Sequence, residues 1–213
     1  EYVIEGYLDT SEVVWESEES EREQSDLISP FLNEWRGYMG WAHTTFKFQA
    51  TAITHKKDRP YYYATTAGIY DEQARISSFT EATLFQLAER MCPGLVQDVN
   101  ILHCMKGQIG CVFKVKKRRI NDERFSKMLI PLAFCSVSPL QLAIVTDDDI
   151  NIYNADDILW ALSTRIINPE DIIDCSTGHP GNRSGVSRKT GIDATIPFDY
   201  KDSWKRSIYP AVD

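Results

Sequence analysis

The chain has 213 residues, 43% of them apolar and 25% charged, the composition of a soluble globular protein with room for one large domain or two small ones. A net charge of −8 argues against non-specific nucleic-acid binding, which needs a basic surface. No apolar run approaches the ~20 residues that cross a bilayer, and the first residues do not read as a signal peptide.

Glu1–Leu8 (EYVIEGYL) has the alternation of a strand, and Asp9–Glu12 reads as a turn. Because Glu1 already sits in a strand pattern, the chain is expected to be a piece of something longer. Glu16–Glu23 (ESEESERE) is a solvated charged segment, loop or helix. Ser29–Gly40 (SPFLNEWRGYMG) surrounds one acid, Glu34, with Pro, Gly and aromatic residues. Thr45–His55 alternates, with Phe46, Phe48, Ala50 and Ala52 on one face, and Tyr61–Ala67 follows the turn Lys57–Pro60 as its hairpin partner. Residues 1–68 therefore predict part of an antiparallel β domain with at least three strands, too few for an independent core.

The pattern then changes. Ser78 predicts a helix cap with Glu81 at the capping-box position, a stripe of Leu84, Leu87, Ala88 and Met91, and a stop at Pro93-Gly94. Val96–His103 and Gly110–Lys116 read as strands, with the basic run Lys114–Arg119 (KVKKRR) as a solvent-facing strand end. Asn121 predicts the cap of a helix with the stripe Phe125, Met128, Leu129 and Leu132. Leu140–Val145 reads as a strand covered on both faces, followed by Asp147, Asp148 and Asp149. Acids at a strand end suit a metal or ribose site. They equally suit a solvated turn, which adjacency favours because a run of carboxylates fixes no ligand geometry. Asn154 predicts the next cap, with Asp157 as capping-box acid, Ile158, Leu159 and Leu162 as the apolar stripe, and Arg165 near the helix end, where a cation complements the dipole. Ile172–Cys175 is a last short strand. Thr177–Gly191 is a Gly-rich loop whose Arg183, Arg188 and Lys189 could cradle an oxyanion; without a P-loop spacing, a mobile loop is the favoured reading. The order α-β-β-α-β-α-β predicts an α/β or α+β domain. The aromatic tail Asp199–Asp213 is expected to pack on a neighbour.

The five cysteines have no C-x-x-C pair and mostly apolar flanks, so they read as small core residues in a reducing cytosol, and the expected localisation is cytoplasmic. The four histidines form no H-x-x-x-H or HExxH motif, and no G-x-S-x-G elbow marks a nucleophile.

Four blocks in order, EYVIEGYL, ATAITHKKDRPYYYATTAG, LAIVTDDDINIYNADDILWALSTR and KTGIDAT, resemble the carboxyl-terminal half of the UbiD family of prenylated-FMN-dependent decarboxylases and carboxylases. The resemblance runs along nearly the whole chain, apart from the acidic stretch at about 13–28. It implies that residues 1–68 are the last strands of a split β-barrel flavin-binding domain. Residues 69–195 would be an α/β domain for oligomerisation and closure over the substrate, and residues 196–213 a C-terminal tail. The implied reaction is reversible decarboxylation of an aromatic or α,β-unsaturated carboxylic acid, making the protein a carboxy-lyase. The modified flavin would serve as electron sink, and Glu34 would be the acid/base that replaces CO2 by a proton. The implied cofactors are prenylated FMN with a divalent metal (Mn or Mg) and K+, held by residues upstream of Glu1. The implied partners are an aromatic carboxylate, or CO2 with an aromatic substrate, a second copy or an upstream UbiD half, and a flavin prenyltransferase. Ile76, Ser77, His179 and Pro180 are implied on the substrate side of the pocket. The family's usual segment is PEGPFGE; here the stretch is ISPFLNEWRGY, so Ile28 stands near the first glutamate and one extra residue separates Phe31 from Glu34. Ala133–Ser138 (AFCSVS) replaces the usual AFNHSP. These departures define the alternative expectation, a non-catalytic assembly or partner subunit of a UbiD-like complex.

Overall fold

The structure is a computed structural model describing residues 2–25, 40–58, 72–105, 109–176 and 188–207. It divides into two units, Glu1–Gly68 and Ile69–Asp213.

In the first unit, β1 (Tyr2–Trp15) pairs antiparallel with β2 (Thr44–His55), Tyr2 lying opposite His55 and Trp15 opposite Thr44. The predicted turn Asp9–Glu12 is instead a bulge in a continuous strand. The Asp9 carboxylate accepts the Ser11 N–H (2.9 Å) and O–H (2.6 Å), which folds the extra residues out of register while pairing resumes at Val13. A second register shift falls at Gly6, where a Cβ would lie 2.2 Å from the Gln49 carbonyl oxygen. The acidic run forms a short helix, α1 (Glu18–Glu23), because Ser17 caps it by accepting the Ser20 N–H at 3.1 Å and three acids complement its first turn. Apolar side chains on both faces of the hairpin are exposed, among them Ile4, Tyr7, Leu8, Phe46, Phe48 and Ile53. The predicted strand Tyr61–Ala67 and the Glu34 segment lie outside the described residues.

The second unit is a five-stranded mixed sheet in the order β3-β4-β5-β7-β6. The parallel centre is β4 (Gly110–Val115), β5 (Leu142–Asp147) and β7 (Arg188–Ala194), flanked by antiparallel β3 (Val96–Asn100) and β6 (Ile172–Ser176). Helices α2 (Glu72–Met91) and α3 (Asp122–Ser136) cover one face. Their Leu84, Ala88, Leu129, Ile130 and Ala133 pack with Phe113 and Val145. Helix α4 (Ala155–Arg165) covers the other, packing Ile158 and Ala161 on Val112, Ile144 and Ala194. Neighbouring strand residues thus serve opposite layers, which is why β4 and β5 read as unbroken apolar runs.

Several predicted elements shift. Helix α2 begins at Glu72, so Ser78 lies inside it and not at its start. Ser77, Thr80, Leu84 and Ala88 are all buried and continue the apolar face backwards, while Glu81 accepts the Ile101 N–H at 2.8 Å. Strand β3 stops at Asn100, and His103 opens a 3-10 turn, His103–Met105. In α3 the buried stripe is Ser126, Leu129, Ile130, Ala133 and Phe134; Met128 is exposed. In α4, Leu159 is exposed and Arg165 takes an inward position. Asn154 caps through the Asp156 N–H at 2.9 Å, and Asp157 reaches back to the Asn151 N–H at 2.6 Å rather than closing a capping box. Residues 188–191 are not loop but the start of β7. Gly191 is required there, since a Cβ would lie 2.1 Å from Ile130 Cγ2. Of the expected core cysteines, Cys92 and Cys111 are buried, Cys175 is half-buried, and Cys104 and Cys135 are exposed; all five are free thiols. None of the described helices is long and apolar enough to cross a membrane.

Asn121 has helical dihedrals and no capping bond; the start of α3 is held instead by Asp122, which is fully buried. Its carboxylate accepts the Arg118 N–H at 2.8 Å and Arg119 Nε at 3.2 Å. Burial opposes its ionisation, but the Arg118 amide and the two guanidinium groups outweigh burial and hold the acid below its ordinary value of 3.8. A depressed native value stabilises the fold above the unfolded value and ceases to as pH falls through the native one. Asp122→Asn should therefore cost about 1.5–3 kcal/mol in urea unfolding at neutral pH, the range for hydrogen bonds to a charged group. The gap between variant and parent should narrow as the pH falls below the carboxylate range. A gap that is unchanged in acid would remove the ionised carboxylate from this account.

Candidate functional site

Ser77 lies on the wall of a cleft of about 350 Å3, together with Ser78, Glu81, Asn100, His103 and Tyr153. These come from α2, the end of β3, the 3-10 turn after it and the loop after β5. Ile76 is half-buried in the same helical turn, its carbonyl accepting Thr80 Oγ1 at 3.0 Å. His179 and Pro180 lie outside the described residues, as does Glu34, so of the predicted site residues the structure describes Ile76 and Ser77.

The cleft is lined by hydrogen-bonding groups on fixed frames. Asn100 Nδ2 donates to the Ile152 carbonyl (2.7 Å), joining β3 to the loop that carries Tyr153. Tyr153 Oη donates to Asp98 Oδ2 (2.7 Å). That hydrogen bond, with burial and the charges of Asp98 and Glu81, pushes the phenol up to about 12, so it stays protonated at neutral pH. Such a wall can orient a small polar molecule. Among the described residues, no group of three or more His, Cys, Asp or Glu side chains converges to hold a metal ion.

The acids at the end of β5 are structural. Asp147 is the last residue of the strand, not part of the turn. Arg165 is 2% exposed, reaches Asp147 Oδ2 at 3.0 Å and forks onto Asp149 at 2.9 and 2.6 Å. Burial pushes the Asp147 carboxyl up, against the Ile196 N–H, Lys117 and Arg165, which favour its ionised form. Asp149 goes the other way: burial opposes its charge, but Arg165 outweighs burial and holds it low. Asp148 pairs with Lys116 and Lys201 on the outside.

Three charged residues expected at the surface or in loops, or not singled out, are buried. Lys117, read as part of a solvated basic run, is 3% exposed; it donates to Glu123, Thr195 Oγ1 and the Ile196 carbonyl. Lys189, read as a loop cation, is 1% exposed and donates to the carbonyls of Ser138 (2.8 Å) and Phe134 (3.4 Å). Asp193 is buried and accepts the Thr195 N–H and O–H. The alternation of Lys189–Ala194 was the available signal, since it is that of a strand.

Comparison with known proteins gives a consistent result. A sequence profile of the 3-octaprenyl-4-hydroxybenzoate carboxy-lyase C-terminal domain (UbiD_C) matches residues 75–194. The gallate decarboxylase of Lactiplantibacillus plantarum is 28% identical over 229 residues, covering 100% of this chain and 45% of its own length. The apo 3,4-dihydroxybenzoic acid decarboxylase of Enterobacter cloacae superposes with a TM-score of 0.84 at 26% identity, over 100% of this chain and 45% of that one. The UbiD-class enzyme HmfF of Pelotomaculum thermopropionicum, solved in complex with FMN, superposes with a TM-score of 0.79 at 27% identity, over 99% of this chain and 44% of that one. The chain thus spans about half the length of the relatives it matches.

Proposed function

We propose, for a chain that belongs to the UbiD family of carboxy-lyases, that it forms the carboxyl-terminal part of an enzyme that reversibly decarboxylates an aromatic or α,β-unsaturated carboxylic acid. The observation that carries this reading is the superposition of all the chain on a dihydroxybenzoic acid decarboxylase, at a TM-score of 0.84. In this reading residues 1–68 complete a split β-barrel flavin domain. The exposed apolar faces of β1 and β2 support it, because a lone hairpin is at best marginal in water and further strands would cover those faces. Residues 69–195 close over the substrate and pair with another subunit, and residues 196–213 form the tail.

The cofactor of this reading is prenylated FMN, which when bound supplies an electron sink for the carboxylate's bonding electrons. The described residues do not themselves make a flavin cradle. Their buried cations are already engaged, Lys117 and Lys189 with carbonyls and Arg165 with Asp147 and Asp149. The flavin, with its divalent cation and K+, is therefore assigned to other residues, and the chain's own contributions are Glu34 as proton donor and acceptor and the substrate-side residues Ile76, Ser77, His179 and Pro180. The cleft beside Ser77 supports a polar substrate wall there.

The test is to produce the natural protein together with a flavin prenyltransferase, record its absorbance, and assay 3,4-dihydroxybenzoate and gallate for loss of the carboxyl group. A flavin spectrum with turnover of an aromatic acid is the expected result. A colourless protein, with every partner chain present, would overturn it and leave the second reading, a non-catalytic assembly subunit, which Ile28 at the position of the family's first glutamate favours.

A further inference from the structure

The strand register places Cys175 of β6 directly opposite Lys189 of β7, so their side chains leave the same face of the sheet. That face is the one under α3: the adjacent pair is Ile173 and Gly191, and Ile130 of α3 sits on Gly191. Lys189 Nζ passes beneath the last turn of α3, donating to the Phe134 and Ser138 carbonyls and lying 5.4 Å from the Phe134 ring. Cys135 is the next residue in that turn and is exposed, while Cys175 is half-buried against the α3 core. Cys135, Cys175 and Lys189 interact electrostatically with one another.

We propose that Cys135 and Cys175 are an oxidisable thiol pair gathered around the buried amino group of Lys189, and that a peroxide converts them to a disulfide. The roles follow from exposure. Peroxide meets the exposed Cys135 first, while burial pushes the Cys175 thiol up and leaves it the second to react. The Cys135 thiolate attacks one peroxide oxygen, the O–O bond breaks, and sulfenic acid and hydroxide form, the hydroxide taking a proton to become water. The Cys175 sulfur then attacks the sulfenic sulfur, its proton leaving with the displaced hydroxyl as a second water. Two thiols and one hydrogen peroxide thus give one disulfide and two waters. The cross-link ties the last turn of α3 to the end of β6, from which residues 177–187 continue.

The experiment treats the reduced natural protein with hydrogen peroxide in the presence of a metal chelator, followed by alkylation and non-reducing tryptic mapping. The expected result is loss of two titratable thiols and a disulfide joining peptide 128–165, whose one cysteine is Cys135, to peptide 166–183, whose one cysteine is Cys175. Cys135→Ser and Cys175→Ser should each abolish the cross-link, and Cys104→Ser, which removes the other exposed thiol, should leave it intact. Cys135 recovered as sulfinic or sulfonic acid with Cys175 still reduced, or cross-links that need Cys104, would overturn the pair.

Discussion

Replacing Glu34 by glutamine is expected to lower decarboxylation by about 100- to 10,000-fold, the usual worth of a positioned acid–base group, while the flavin remains bound. Glutamine keeps the size and the hydrogen-bonding shape of the side chain but carries no transferable proton. In sequence Glu34 stands between Asn33 and Trp35, with Phe31, Leu32 and Arg36 nearby. A carboxylic acid placed at the reacting carbon can deliver the proton that replaces CO2. Turnover of the preferred aromatic acid and the flavin absorbance of the same sample separate the outcomes. Near-parental turnover would refute the role; a sample that loses both flavin and turnover would assign Glu34 to cofactor binding.

Arg165→Met is expected to destabilise the α/β unit by about 3–5 kcal/mol, the cost of stranding a buried charge. Asp147 would lose its guanidinium while remaining 2% exposed, and its other oxygen has no hydrogen-bond partner among the described residues. Asp149, more than a third exposed, can turn to water and adds less. The sign of the pH dependence follows from burial. The Asp147 carboxyl already sits above its ordinary value, and removing Arg165 raises it further. The native state then binds a proton before the unfolded chain does, so lowering the pH through that raised value relieves part of the penalty. Urea midpoints at neutral and mildly acid pH measure this, and adding Asp147→Asn should recover part of the loss at neutral pH. A single variant as stable as its parent at neutral pH would mean that the ion pair is not what fixes the end of β5.

The larger plan is legible in the order and spacing of the residues. Their periodicities located four of the five strands of the mixed sheet, β3 to β6, and three helices, because burying one or both faces imposes a pattern that survives without coordinates. The four ordered blocks also pointed to the UbiD family, which the profile match over residues 75–194 bears out. Helix starts were less legible. Ser78 and Asn121 have the chemistry of caps, yet caps are local options that tertiary burial overrides, as the buried Ser77 and Asp122 did. Strand β7 was hidden for a similar reason: Gly191 and Lys189 look like loop residues until Ile130 is seen to need the missing Cβ and the α3 carbonyls to need the ammonium. The acids Asp147–Asp149 could be read as a site or as a turn because adjacency sets no geometry. Only the return of Arg165 from the far end of α4 decided that two of them are ion-paired structure. What the sequence could not contain is the identity of partners that meet across long separations, such as Lys189 with the Ser138 carbonyl or Lys117 with Thr195. Those pairings exist because segments distant in sequence meet around one sheet, and burial then makes an unpartnered charge too costly to keep.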